Sequence, residues 1–124
     1  MAMLEKLIGF IPTRNGEGVR EFYEGKLGLR FLDDDKFALV FEAGDTMIRI
    51  ARVGEFTPAR FTILGWETHG IEQDVRDLAT RGITFERFGF IEQDDLGIWT
   101  SPSGAKVAWF KDPDGNTLSL SQHT

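Results

Sequence analysis

One pattern of residues occurs twice in this chain of 124 residues. Gly28-Leu29-Arg30-Phe31 is matched by Gly82-Ile83-Thr84-Phe85 at an offset of 54, and Ile8 by Ile63 at an offset of 55. Further on, Gly44-Asp45-Thr46-Met47-Ile48 is matched by Gly115-Asn116-Thr117-Leu118-Ser119 at an offset of 71. Such a repeat constrains the fold more tightly than any composition. Each copy is one supersecondary unit, too small to bury its own apolar sheet face, which needs the other copy as cover. The larger second offset puts extra residues into the second copy, where Phe88 to Asp95 sit.

Hydrophobic periodicity gives the elements of each copy. LEKLIGFIPT (4–13) reads as a strand ending at Pro12, and Asn15 as the cap of a helix over 16–26. In that helix Val19, Phe22 and Tyr23 share one face at i, i+3, i+4. Strands follow over 29–35, 36–44 and 45–53, with a turn at Glu42-Ala43-Gly44-Asp45. The connector GEFTPARF carries the chain into the second copy. A strand over 61–70 precedes a helix over 71–81, where Ile71, Val75 and Leu78 fall at i, i+4, i+7 and Gly82 is the stop. A strand over 83–91, a hairpin over 96–111 around Pro102-Ser103-Gly104, and a last strand over 116–122 complete it. The reading is one domain of two βαβββ repeats, at 4–53 and 61–122, joined by a linker at 54–60.

Composition excludes several function classes. The chain has no cysteine, hence no thiol nucleophile, thiolate metal site or disulfide, which fits a reducing compartment. A net charge of -6 makes it a poor ligand for nucleic acid and for anionic membranes, both of which need clustered Lys and Arg. The start, MAMLEKLIGF, lacks a basic segment followed by a long apolar one, and no stretch approaches the roughly 20 apolar residues of a membrane helix. A soluble, cytoplasmic protein is expected. Eleven Phe and three Trp either fill a core or line a pocket. No dinucleotide fingerprint, phosphate-cradling loop or supported Ser-His-Asp arrangement is present.

Asp112-Pro113-Asp114-Gly115 poses a sharper question, because two aspartates beside a row of hydroxyls resemble the edge of a metal site. A calcium loop needs oxygen ligands at positions 1, 3 and 5, Gly at 6 and Glu at 12. Here Gly is fourth and the twelfth residue is His123. Proline presets φ, aspartate bonds nearby backbone amides and glycine takes a positive φ, so the segment is expected to be a structural turn between two strands. Asp33-Asp34-Asp35 and Asp94-Asp95 read as solvated loop charge.

EFYEGKLGLRF after a strand, VAWFKDPDGNTLSL near the end, and the duplication together resemble the vicinal-oxygen-chelate superfamily. That superfamily contains glyoxalase I, extradiol dioxygenases, fosfomycin-resistance enzymes and bleomycin-binding proteins. The resemblance covers nearly the whole chain and implies an α+β fold. Two βαβββ modules would form a cupped mixed sheet around a pocket, with the helices packed outside, commonly in a homodimer. In its metal-dependent members each module supplies His, Gln or Glu ligands from its first and last strands. Carried over one at a time, those positions are Ile8, Ile48, Ile63 and Ser119. None is an ordinary divalent-metal ligand, except Ser119 weakly, and the neighbours Leu7, Gly9, Met47, Arg49, Thr62, Leu64, Leu118 and Leu120 are no better. The two histidines, His69 and His123, lie in a loop and near the end. The expectation is a member with no metal and no other cofactor.

Strand alternation then gives a pocket. If Ile8, Ile48, Ile63 and Ser119 face the cup, so do Phe10, Ile50, Gly65, Glu67, Thr117 and Ser121, while Leu64 and Trp66 pack under the helices. Trp99 and Trp109, on neighbouring strands, either stack on a ligand or fill the barrel. Such a lining suits an apolar or aromatic small molecule. Glu67 is either an acid/base in an apolar cup or a rim carboxylate. Three functions remain open: a metal-free small-molecule binder using Ile8, Phe10, Ile48, Ile63, Trp99, Trp109, Ser119 and Ser121; a lyase, isomerase or dioxygenase using Glu67 or displaced metal ligands; and an interaction module.

Overall fold

In the computed structural model, which describes residues 3–123, the linker at 54–60 is divided between two units that part between Thr57 and Pro58. Its first half folds onto the first unit, where the Arg14 guanidinium donates to Phe56 O at 3.3 Å and lies 4.8 Å from that ring's centroid. Its second half belongs to the other unit, where Thr117 Oγ1 donates to Ala59 O at 3.4 Å.

The first unit is a four-stranded sheet ordered β1-β4-β3-β2, with β1 (Ile8–Thr13), β2 (Arg30–Asp34), β3 (Ala38–Ala43) and β4 (Thr46–Arg52). β1 runs parallel to β4 and the other pairs are antiparallel. The connection from β1 to β2 carries the helical turn, but it starts late. Gly16 and Gly18 take φ of 85° and 75°, outside helical space, so Asn15 Oδ1 accepts only the Glu17 N–H at 2.9 Å. The helix that does form, Glu21–Lys26, is π-wound, with Leu27 N donating to Phe22 O at 3.0 Å. It drives Tyr23 onto Phe41 of β3, at a centroid distance of 5.7 Å, and both rings are fully buried. Ile11, Ile48 and Ile50 are buried with them.

The acidic turn between β2 and β3 is exposed, and its carboxylates are also tied by hydrogen bonds. Arg52 grips Asp34 with both terminal nitrogens, at 2.7 and 2.9 Å, and Arg49 bonds Asp35 at 2.8 Å. Asp35 Oδ1 also accepts from Phe37 N and Ala38 N. The Arg52 hydrogen bond, aided by the Lys36 amide, lowers the Asp34 carboxyl to about 2.

The second unit repeats the topology as β5-β8-β7-β6, with β5 (Thr62–Glu67), β6 (Trp99–Thr100), β7 (Lys106–Lys111) and β8 (Thr117–Gln122). β5 is parallel to β8. Helix α1 (Ile71–Thr80) packs on β7 and β8 and buries Ile71, Val75 and Leu78, the stripe read from their spacing. Its first amide, Ile71 N, donates to Gln122 Oε1 at 2.9 Å, so the end of β8 caps the helix. Gly82 ends it with φ of 96°. The Asp112 turn is purely structural. Asp112 Oδ1 accepts from Asp114 N and Asn116 N, and Oδ2 from Asn116 Nδ2, each at 2.9 Å.

The strand expected over 83–91 does not form. The segment touches β7 only through the Phe85–Phe110 bridge and the Glu86 N–H to Trp109 O bond, then leaves the sheet. The edge resumes at β6, which pairs Trp99 with Val107 and Thr100 with Lys106. Residues 87–98 are thus an excursion from the edge strand, following the bridge at Phe85. The first unit has a register shift at the matching place, between Phe31 and Asp33. The two units are alike in detail there: Phe31 meets Phe41 edge-on at 5.5 Å and 69°, and Phe85 meets Phe110 at 5.5 Å and 64°. The repeated GLRF and GITF therefore mark equivalent aromatic pairs, and the excursion is an enlarged irregularity of the second copy.

Candidate functional site

The excursion stands off the sheet because its backbone is satisfied without a strand partner. Gln93 does most of this. Its Oε1 accepts from Phe88 N at 2.7 Å, and its Nε2 donates to Glu86 O at 2.9 Å and Gly97 O at 2.8 Å, so one side chain ties both ends together. Asp94 Oδ1 closes the return by accepting from Leu96 N and Ile98 N, both at 2.9 Å, and Arg87 donates to Asp95 O at 2.6 Å. Asp94 is a loop-builder and not merely solvated charge.

Held this way, the excursion presents aromatic rings to the sheet. Phe88 meets Trp109 edge-on at 5.4 Å, Phe90 lies 5.7 Å from Phe88, and Trp99 is tilted against Trp109 at 6.0 Å. Between this cluster and the start of β5 runs a cleft of about 270 Å³. Its lining takes Trp99 and Trp109 from β6 and β7 and Phe88, Phe90 and Ile91 from the excursion. Arg60, Phe61 and Thr62 from the start of β5 and Thr117 of β8 complete it. Trp99, Trp109 and Phe88 are half-buried, while Phe61 and Phe90 are 71% and 83% exposed. An apolar cleft lined by several rings and a few polar groups suits a flat organic molecule.

Of the residues expected to bind, Trp99 and Trp109 line this cleft. Register pairs Trp109 with Ser119 and Val107 with Ser121, so both serines share the Trp109 face but sit further along β8, outside the cleft lining. Trp66 and Leu64 face the other way, as expected, with Trp66 stacked on Phe110 at 6.4 Å.

Ile63 is displaced by one position. The register between β5 and β8 shifts between Thr62 and Leu64, so Thr62, not Ile63, pairs with Thr117 and lines the cleft. Ile48 is on the wrong face for the expected cup. Its Cδ1 sits 3.1 Å from where a Cβ would stand on Gly9, and its strand partner Phe41 packs on Tyr23. Ile8 and Phe10 alternate with Gly9 and Ile11, so they lie on the opposite face of that sheet, 49% and 66% exposed. Ile50, paired with Ile11 and fully buried, goes with Ile48. The expectation that Ile8 and Ile48 share one lining is therefore corrected.

Glu67 pairs with Ser121 at the end of β5 away from Thr62, is exposed, and takes no part in the cleft. The apolar surroundings its acid/base role needs are absent. The positions that the family resemblance assigns to metal ligands hold Ile8, Ile48, Ile63 and Ser119. Among the described residues, no three His, Asp or Glu come together to hold a metal ion. The side chains present do not fit a divalent metal.

Arg60, Phe61, Phe90 and Ile91 were not assigned to a site by the sequence. For Phe90 and Ile91 the signal was the jump in repeat offset from 54 to 71, which marks an insertion across Phe88 to Asp95, and Arg60 and Phe61 had none.

No family model and no curated protein matches the chain. Solved structures do. TnmS3, an antibiotic binding protein from Streptomyces sp. CB03234, is similar over 100% of this chain and 99% of its own, with a TM-score of 0.75 and 24% identity. A member of the glyoxalase/bleomycin resistance protein/dioxygenase superfamily from Sphaerobacter thermophilus covers 98% of each chain, with a TM-score of 0.73 and 19% identity. A glyoxalase/bleomycin resistance protein/dioxygenase from Alicyclobacillus acidocaldarius covers 96% of this chain and 91% of its own, with a TM-score of 0.72 and 15% identity. The chain has the fold of these proteins, as the family resemblance of its sequence implies.

Proposed function

We propose that this protein, on a glyoxalase/bleomycin-resistance fold, binds an aromatic small molecule in the cleft between the 87–98 excursion and the start of β5, without chemical turnover. The observation that carries the reading is the ring cluster itself. Trp99, Trp109 and Phe88 are half-buried around open space instead of filling it, and Phe90 and Phe61 stand exposed at its rim. Large exposed rings gathered around one concavity mark a binding surface. An antibiotic-binding protein of the same fold, TnmS3, supports sequestration as a use of this scaffold, although fold alone does not decide function.

The test is a titration with a panel of flat aromatic compounds, followed by calorimetry, on the natural chain and on Trp109→Leu. Truncating a central aromatic anchor costs about 2 kcal/mol or more, so affinity should fall roughly thirtyfold while the ligand is recovered unchanged. Binding that survives Trp109→Leu at full strength would sink the proposal, as would a panel in which nothing binds.

A further inference from the structure

We infer that the ligand of this cleft is an aromatic anion, a ring bearing a carboxylate, phenolate or similar group, with Arg60 as its counter-ion. The inference rests on the reading of the cleft as an aromatic site and adds the charge of its occupant.

Among the described residues, Arg60 is the only charged one lining the cleft. The chain is acidic, with 20 Asp and Glu against 14 Lys and Arg, so most arginines have carboxylates at hand. Arg14, Arg20, Arg30, Arg49 and Arg52 are all paired with one. Arg60 makes no ion pair or hydrogen bond among the described residues, yet it is exposed and lines the cleft together with the tryptophans. Thr62 also lines the cleft and its hydroxyl can donate to an oxygen-rich substituent, whereas the Thr117 hydroxyl already donates to Ala59 O at 3.4 Å. A guanidinium offers two parallel N–H donors, which match the two oxygens of a carboxylate. Rings seated on Trp99 and Trp109 would place an acidic substituent towards β5, where this cation waits.

A competing feature lies on the far side of Phe90, Ile91 and Trp99. A wider hollow of about 620 Å³ there includes Glu92 and Asp94. Asp94 Oδ1 is already engaged by two backbone amides, and neither Glu92 nor Asp94 lines the aromatic cleft that Arg60 lines. A cationic ligand reaching that hollow is the outcome that would redirect the assignment.

The experiment compares three probes with one ring system: 2-naphthoate, 2-naphthamide and 2-naphthylmethylammonium. Calorimetry at low salt should give 2-naphthoate about three- to tenfold tighter binding than the neutral amide, as suits a partly exposed ion pair. The preference should shrink with added salt. In Arg60→Gln the ratio of acid to amide affinity should fall to about one, and Arg60→Lys should restore part of it. Arg60 is exposed and makes no hydrogen bond or ion pair among the described residues, so both variants should fold. Equal binding of acid and amide, a preference for the ammonium, or a preference that persists in Arg60→Gln would overturn the inference while leaving the aromatic site intact. If none of the three binds, the aromatic site itself fails, and this inference with it.

Discussion

Replacing Gln93 by leucine should open the cleft without melting the sheets. The substitution keeps much of the side chain's volume but removes three hydrogen bonds, to Phe88 N, Glu86 O and Gly97 O, at 2.7–2.9 Å. Each is worth about 1 kcal/mol net, so local closure of the excursion should weaken by about 3 kcal/mol. A tenfold change corresponds to about 1.4 kcal/mol, hence the opening equilibrium should rise roughly a hundredfold. The reporters should be amides that Gln93 does not touch. Glu86 N, bonded to Trp109 O at 2.8 Å, and Ile98 N, bonded to Asp94 Oδ1 at 2.9 Å, are suitable. Native-state hydrogen exchange should speed up at both, while ladder amides of β7–β8 and β3–β4 keep their protection, as for an element that opens by itself. Aromatic probes should bind more weakly in proportion to the closed fraction lost. Unchanged exchange at Glu86 and Ile98, or equal acceleration throughout both sheets, would show that Gln93 is not what holds the excursion.

Two further outcomes test the packing and the charge of the sheets. A Cβ on Gly65 would lie 2.7 Å from Ser119 Oγ and 3.3 Å from Ser119 O, so Gly65→Ala should cost about 1–3 kcal/mol by urea denaturation, and adding Ser119→Ala should recover part of it. Asp34, whose carboxyl sits at about 2 in the folded chain because Arg52 and the Lys36 amide bond it, lies below its unfolded value of about 3.9. Its stabilisation is therefore present above about pH 4 and lost as pH falls towards 2, so the urea midpoint of Asp34→Asn should fall less steeply across that interval than that of the natural chain. Parallel curves would show that Asp34 has no such share in acid sensitivity.

The duplicated architecture was legible before any coordinates because its signals are local. Alternating residues made the strands, Ile71, Val75 and Leu78 made the stripe of α1, and Asp112-Pro113-Asp114-Gly115 made a turn by its own side-chain bonds. GLRF and GITF marked two Phe pairs that the folded chain holds in nearly the same geometry. Trp99 and Trp109 were read onto neighbouring strands, β6 and β7, which do pair, with Trp99 opposite Val107.

Tertiary structure alone decided which faces those strands present, and where the cleft opens. Strand side chains alternate with a period of two, so any single extra residue reverses every assignment beyond it. Matching Gly44 with Gly115 set Ile48 against Ser119, but the pairings Phe41–Ile48 and Phe110–Leu118 show that Leu118 is the true counterpart of Ile48. The one-residue slip placed Ile48 in a cup when it belongs under Tyr23. The shift between Thr62 and Leu64 did the same at Ile63 and brought Thr62 into the lining. The excursion escaped alternation altogether, because its amides and carbonyls are satisfied by Gln93 and Asp94 side chains and not by a neighbouring strand. Periodicity carries no trace of bonds like these, so Phe88, Phe90 and Arg60 became a site only when the chain was folded.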